Sequence, residues 1–343
     1  MNDVAGDAHA FLIVRLGALG DLVHTIPAAA ALRAAYPAAR IDWLVDARHG
    51  EILDLVTCID RVIVVESPTI DGWIRATREL RSGHYSAALD FQGLMKSAVL
   101  ARASGAKKVL GFSMWHLREK GARSFYTESV EVAAGVDGKP HVIHKNLRLL
   151  RGLGITESSI EFPLRSVSSP ARDAIVAQTA GAPFAVINPG AAWPNKRWGA
   201  ERFGELASFL REVRGLLPFV LWGPAEEPLA QSVVSASSGA AVLAPPTGLT
   251  DLVEICRSAS LMVSGDTGPL HIAAAVGTPI VSIFGPTDPE RNGPWRADDI
   301  AISRYSACGC KYDRECHQDG WCLGTLPVSE VTAGVQHRLT GIP

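Results

Sequence analysis

The residues best equipped for chemistry begin at Arg15-Leu-Gly-Ala-Leu-Gly-Asp21. Here an apolar run ends in glycines and a carboxylate opens a helix. Gly17 and Gly20 let a ligand approach the backbone closely, and a carboxylate aimed from a strand end can serve as a general base. Capping the helix is the competing duty for Asp21. A second group is Ser264-Gly-Asp266-Thr267-Gly268-Pro269-Leu270-His271. Free N–H groups at such a helix start, helped by the helix dipole, attract an anion. Thr267 adds a hydroxyl, and His271 lies one turn further in. A third is the loop NPGAAWPNKRW, where Gly190 and two alanines leave room for phosphate and Lys196 supplies a point charge. Trp193 and Trp198 pin that loop. Glu226 and Glu227, just past a strand, suit a ribose diol, or simply enrich a helix's first turn in acid.

Two further segments carry unusual composition. Residues 96–151 hold eleven Lys and Arg against four Asp and Glu, in a chain of net charge −2. That stretch, which includes Lys96, Arg118, Arg123 and Trp115, is either a solvated face or a basic cradle for an anionic acceptor or membrane surface. Cys308, Cys310, Cys316 and Cys322 fall within 15 residues. Disulfides are disfavoured in a reducing compartment, so the alternatives are free thiols and a structural zinc or iron site. Paired C-x₂-C knuckles are missing from the spacing. Cys58 and Cys256 sit singly in apolar surroundings and read as core residues.

The elements that must position these groups follow a steady rhythm. Apolar strands are expected near residues 11–15, 41–45, 61–65, 86–90 and 107–111, then again near 184–188, 219–222, 241–243, 261–264 and 280–284. Helix-length segments lie between them, including 21–35 as one helix. All-apolar strands alternating with helices indicate parallel sheets covered on both faces. The pattern breaks in the Ser- and Pro-bearing stretch 164–183. This gives an N-terminal domain over 1–165, a C-terminal domain over 183–325 and a final helix within 326–343. Doubly wound sheets bind ligands at the carboxyl ends of their strands, where all the groups above fall. The near-neutral charge speaks against a nucleic-acid partner. No apolar run reaches the roughly 18 residues of a membrane span. Residues 1–14 are acidic and then strand-like, unlike a signal peptide, so the expected location is cytoplasmic, with peripheral contact to a membrane.

Taken in order, RLGALGDLVHTIPA, DFQGLMKSA, NPGAAWPNKRW, SGDTGPLHIAAAVGTPIVSIFGPTDP and the cysteine stretch resemble the family 9 glycosyltransferases, the ADP-heptose:lipopolysaccharide heptosyltransferases. The resemblance runs from about residue 11 to 325. It implies a GT-B fold, two Rossmann-like domains facing a central cleft, with the final helix crossing back to the N-terminal domain. It also implies inverting transfer of heptose from ADP-heptose, with no metal needed for catalysis. Asp21 then matches the base, and burial is expected to raise its pKa. Lys196, Asp266, Thr267, Gly268 and His271 match the donor-phosphate residues. Glu226 or Glu227 matches the ribose ligand, and Thr247 flanks the adenosine. Gly20, Lys96, Arg118 and Arg123 fall on the acceptor side. QGLMKSA and HLREKGARSFY most resemble heptosyltransferase I, which acts on Kdo–lipid A at the cytoplasmic face of the inner membrane. PGAAWPNKRW is closer to heptosyltransferase II, so another core acceptor is the alternative, as is a nucleotide-sugar-binding protein without transfer.

Overall fold

A computed structural model describes residues 9–66, 69–133, 140–156 and 158–340. The first eight residues of the segment read as unlike a signal peptide, and Asp137 and Lys139 of the basic stretch, lie outside the described residues. The chain divides between Arg165 and Ser166 into two compact units. Each is built on a six-stranded parallel sheet.

In the first unit the strands are β1 (Ala10–Val14), β2 (Arg40–Asp46), β3 (Arg61–Val65), β4 (Ala87–Asp90), β5 (Lys108–Phe112) and β6 (Glu128–Val130). They lie in the order β3-β2-β1-β4-β5-β6. The switch point falls at β1, whose five residues are all buried, so its carboxyl end is where a ligand is expected. The helices are α1 (Leu19–Val23), α2 (Ile26–Ala35), α3 (Ile70–Ser82), α4 (Met95–Ala103) and α5 (Val142–Leu149). The single helix expected over 21–35 is thus two. Pro27 has no N–H to continue α1 and instead takes a first-turn position in α2.

The second unit repeats the plan with β7 (Phe184–Asn188), β8 (Leu217–Val220), β9 (Val242–Leu243), β10 (Leu261–Gly265), β11 (Ile280–Phe284) and β12 (Ile300–Ser303). Their order is β12-β11-β10-β7-β8-β9. Its helices are α6 (Pro170–Gln178), α7 (Ala200–Glu212), α8 (Glu227–Ala236), α9 (Leu249–Ser258), α10 (Gly268–Ala275), α11 (Pro289–Asn292) and α12 (Val328–Leu339). Residues 170–178, read as part of a seam, form α6: Ser169 caps its start through the Arg172 N–H, and Ile175 is fully buried. Val331, Val335 and Leu339 on one face of α12 join the second unit's core with Ile302 and Val281. Among the described residues, no helix is long and apolar enough to cross a membrane.

Candidate functional site

In the first unit the candidate group gathers where β1 ends. Arg15 follows the strand directly; it is buried, and its guanidinium donates to the carbonyl of Phe91, just past β4. The chain then turns at Gly17, whose φ of +152° suits glycine. A Cβ there would overlap the His49 ring. Ala18, not Asp21, is the N-cap residue of α1; Asp21 sits within the first turn and its side chain is free to face Arg15. Asp21 Oδ2 lies 2.6 Å from Arg15 Nη2 and 3.9 Å from Arg118 Nη2, and its side chain keeps 24% exposure. Burial pushes the Asp21 pKa upward, but Arg15 and Arg118 together outweigh it and hold the carboxyl below its ordinary value. The expected upward shift is therefore reversed, because the buried Arg15, given no role by the sequence, supplies an ion pair.

The other acceptor-side residues behave unequally. Gly20 lies within α1 beside Asp21. Lys96, in the first turn of α4, is close enough to help depress the His49 pKa, after burial and Arg48. Arg118 reaches toward Asp21 as above. Arg123 donates to the carbonyl of Tyr126 at 3.2 Å, closing its own turn, and no described contact joins it to Asp21.

In the second unit the group forms where β7 and β10 end side by side. Asp266 is its centre. Oδ2 receives Lys196 Nζ at 2.6 Å and Thr287 Oγ1 at 2.7 Å, while Oδ1 lies 3.3 Å from His271 Nε2. Burial alone would raise the Asp266 pKa; His271 and Lys196 overcome it and drive the carboxyl far below the carboxylate range. The Lys196 ammonium also lies 4.3 Å from the centroid of the Trp193 ring, which fixes it from a second side. Thr267 is the N-cap residue of α10 yet makes no capping bond to that helix. Asn188 Nδ2 donates to its hydroxyl at 3.0 Å instead. The helix therefore begins at Gly268 without a side-chain cap, which leaves its first N–H groups for an anion.

Glu226 stands over the same loop. The Gly223 N–H donates to its Oε2 at 3.3 Å, and Arg197 lies 4.0 Å away. A Cβ on Gly190 would overlap this carboxylate, so the glycine is what admits it. Glu227 is exposed on the first turn of α8, and Glu226 is the one of the pair that joins the group. Thr247 lies in the turn before α9; Trp222 Nε1 ties that turn to the end of β8 by donating to the Ala244 carbonyl at 2.9 Å. Arg15, Thr287 and Asn188 are the members the sequence reading did not assign. The legible signal for Arg15 was a cation ending an otherwise apolar strand.

The cysteine stretch braces this unit. Trp198 Nε1 donates to the Leu326 carbonyl at 3.0 Å, and Arg202 donates to those of Leu323 and Gly324. Asn195, next to Lys196, donates to the Asp313 carbonyl at 3.0 Å. Cys310 Sγ and Cys316 Sγ are 3.6 Å apart, and Cys322 is hydrogen-bonded with Cys308. Among the described residues no three His, Cys, Asp or Glu side chains are grouped to hold a metal. The structural metal expected at Cys308, Cys310, Cys316 and Cys322 has no support among the described residues, although Cys316 also interacts with Cys308, and Cys322 with Cys316.

Comparison with known proteins follows the same lines. The glycosyltransferase family 9 (heptosyltransferase) model matches residues 73–322. Lipopolysaccharide heptosyltransferase 1 of Pseudomonas aeruginosa is 29% identical over 318 residues, covering 89% of this chain and 86% of that protein. The protein of the same name from Escherichia coli K12 is 30% identical over 301 residues, covering 81% and 88%. The E. coli heptosyltransferase WaaC, solved with ADP, superposes with a TM-score of 0.77 at 23% identity, covering 96% of this chain and 99% of that one. Likeness at that identity establishes a shared fold.

Proposed function

Because the chain belongs to glycosyltransferase family 9, the heptosyltransferases, we propose that it transfers heptose from ADP-heptose to the Kdo–lipid A inner core of lipopolysaccharide, with inversion. The observation that carries this reading is the Lys196–Asp266–His271 group beside the uncapped start of α10. A departing nucleoside diphosphate needs a fixed cation and free backbone donors, and both are present there. Lys196 and the first N–H groups of α10 take the developing phosphate charge, with the Thr267 hydroxyl as an added donor. Glu226 accepts from the ribose hydroxyls. Thr247 lies against the adenosine.

On the acceptor side Asp21 removes the proton from the attacking hydroxyl. That oxygen bonds to the anomeric carbon as the bond to ADP breaks on the opposite face, so one displacement inverts the centre. Arg15 keeps Asp21 ionised and oriented, and Lys96 and Arg118 offer charge to an anionic acceptor. The protein works on the cytoplasmic side, next to the membrane that holds its acceptor. The test is to incubate it with ADP-heptose and a set of defined truncated cores and to weigh the products. A single added heptose on Kdo–lipid A is expected. Addition only to a core that already carries heptose would favour the heptosyltransferase II reading, and addition to none would refute transfer.

A further inference from the structure

Exposed apolar side chains are ordinary when scattered, so what matters is where they collect. In the first unit Trp115 is 76% exposed, Met114 43% and Met95 39%. Met95 and Trp115 both lie against residues 119–121, and Met114 adjoins Trp115 in the chain. The Glu119 N–H donates to the Gly93 carbonyl at 3.2 Å, and Glu119 Oε2 accepts from the Met95 N–H at 2.6 Å. A Cβ on Gly121 would lie 2.8 Å from Met95 Sδ, and Lys120 Nζ lies 6.0 Å from the Trp115 ring centroid.

Charge frames this patch on one side of neutrality. Lys120 lies beside the Trp115 ring, Lys96 follows Met95 in the first turn of α4, and Arg118 and Arg123 stand within three residues of Lys120 in the chain. The nearby acids are occupied: Glu119 by Met95, and Glu131 by Ser113, His116 and the N–H groups of Val132 and Ala133. Other exposed apolar side chains of this unit, Val64, Ile70 and Ile74, lie where Arg75 is paired with Glu66 and Arg61 with Glu79, and no aromatic ring there is as exposed as Trp115. A tryptophan and methionines ringed by cations match the headgroup level of an anionic bilayer. We infer that the Met95–Met114–Trp115 surface seats the first unit on an anionic lipid bilayer. Arg118 belongs both to this frame and to the surroundings of Asp21, so the seat borders the acceptor-side group. The inference deepens the proposed function, whose acceptor is a membrane amphiphile.

The experiment is co-sedimentation of the full chain with phosphatidylethanolamine–phosphatidylglycerol vesicles and, separately, with phosphatidylcholine vesicles. Trp115→Ser, Met114→Ser and Lys120→Glu are compared with the unsubstituted chain, each also assayed for heptose transfer to a deacylated, soluble acceptor. Preference for the anionic vesicles is expected, with partition falling about tenfold in Trp115→Ser and transfer to the soluble acceptor unchanged. Lys120→Glu should weaken partition and lessen its salt dependence. Equal partition of Trp115→Ser and the unsubstituted chain, or no preference for anionic lipid, would overturn the inference. So would a parallel loss of transfer to the soluble acceptor, which would make Trp115 an acceptor contact instead. Partition that depends on Trp115 without transfer to any acceptor supports the surface and overturns only the proposed reaction.

Discussion

Two carboxylates dominate at the scale of residues, and both are held ionised by cations although burial opposes it. For Asp21 this sets a pH signature. Its folded-state pKa lies below the ordinary 3.8, so it stays ionised throughout the neutral range though a weaker base than a free carboxylate, and in its proposed role the acid limb of the rate falls below that value. Replacing Arg118 by Ala should move that limb upward, as a pH–rate profile can check; an unmoved limb would separate Arg118 from Asp21. Asp266 bears on stability. A depressed carboxylate stabilises the fold above its unfolded pKa and loses that contribution as pH falls through 3.8 and below. Asp266→Ala leaves Lys196 and His271 without their partner and should cost about 3 kcal/mol. Chemical denaturation at neutral pH measures this; a cost near zero would mean that the group is solvated. The carboxylates themselves were legible from their place after a strand and a glycine. Their pKa directions were not, because Arg15 is neighbour to Asp21 through geometry that local spacing does not display.

At the scale of elements, the loop after β7 and the start of α10 do the positioning. Gly190 leaves the space that the Glu226 carboxylate fills. Gly190→Ala should displace that carboxylate, lowering ADP affinity about tenfold with little change in melting temperature, since the group that must move is the end of a flexible side chain. Calorimetric titration with ADP checks it; unchanged affinity would remove Glu226 from the ribose. The central strands were readable as unbroken apolar runs. The edge strands β6 and β12 were not, since they are short and only partly buried. The α1–α2 break escaped notice because Leu22, Val23 and Ile26 continue the apolar pattern straight through it. Pro27 was the mark that ended the helix.

For the whole molecule, the restart of the strand–helix rhythm made two units legible, whereas the allegiance of α12 depended on which sheet its apolar face would meet. Val335→Asp puts a charge into the second unit's core and should destabilise that unit by more than about 3 kcal/mol, seen as a lowered unfolding midpoint. On the proposed roles of Lys196 and the start of α10, transfer should also proceed at full rate after exhaustive chelation; a loss restored by a divalent ion would contradict that division of labour. The central claim is that Asp21 takes the proton from the acceptor. Its most direct test is turnover of Asp21→Asn with ADP-heptose and Kdo–lipid A, measured beside its affinity for ADP. The account predicts a rate at least about a hundredfold lower with ADP affinity unchanged. A variant that still transfers heptose at the unsubstituted rate would contradict it.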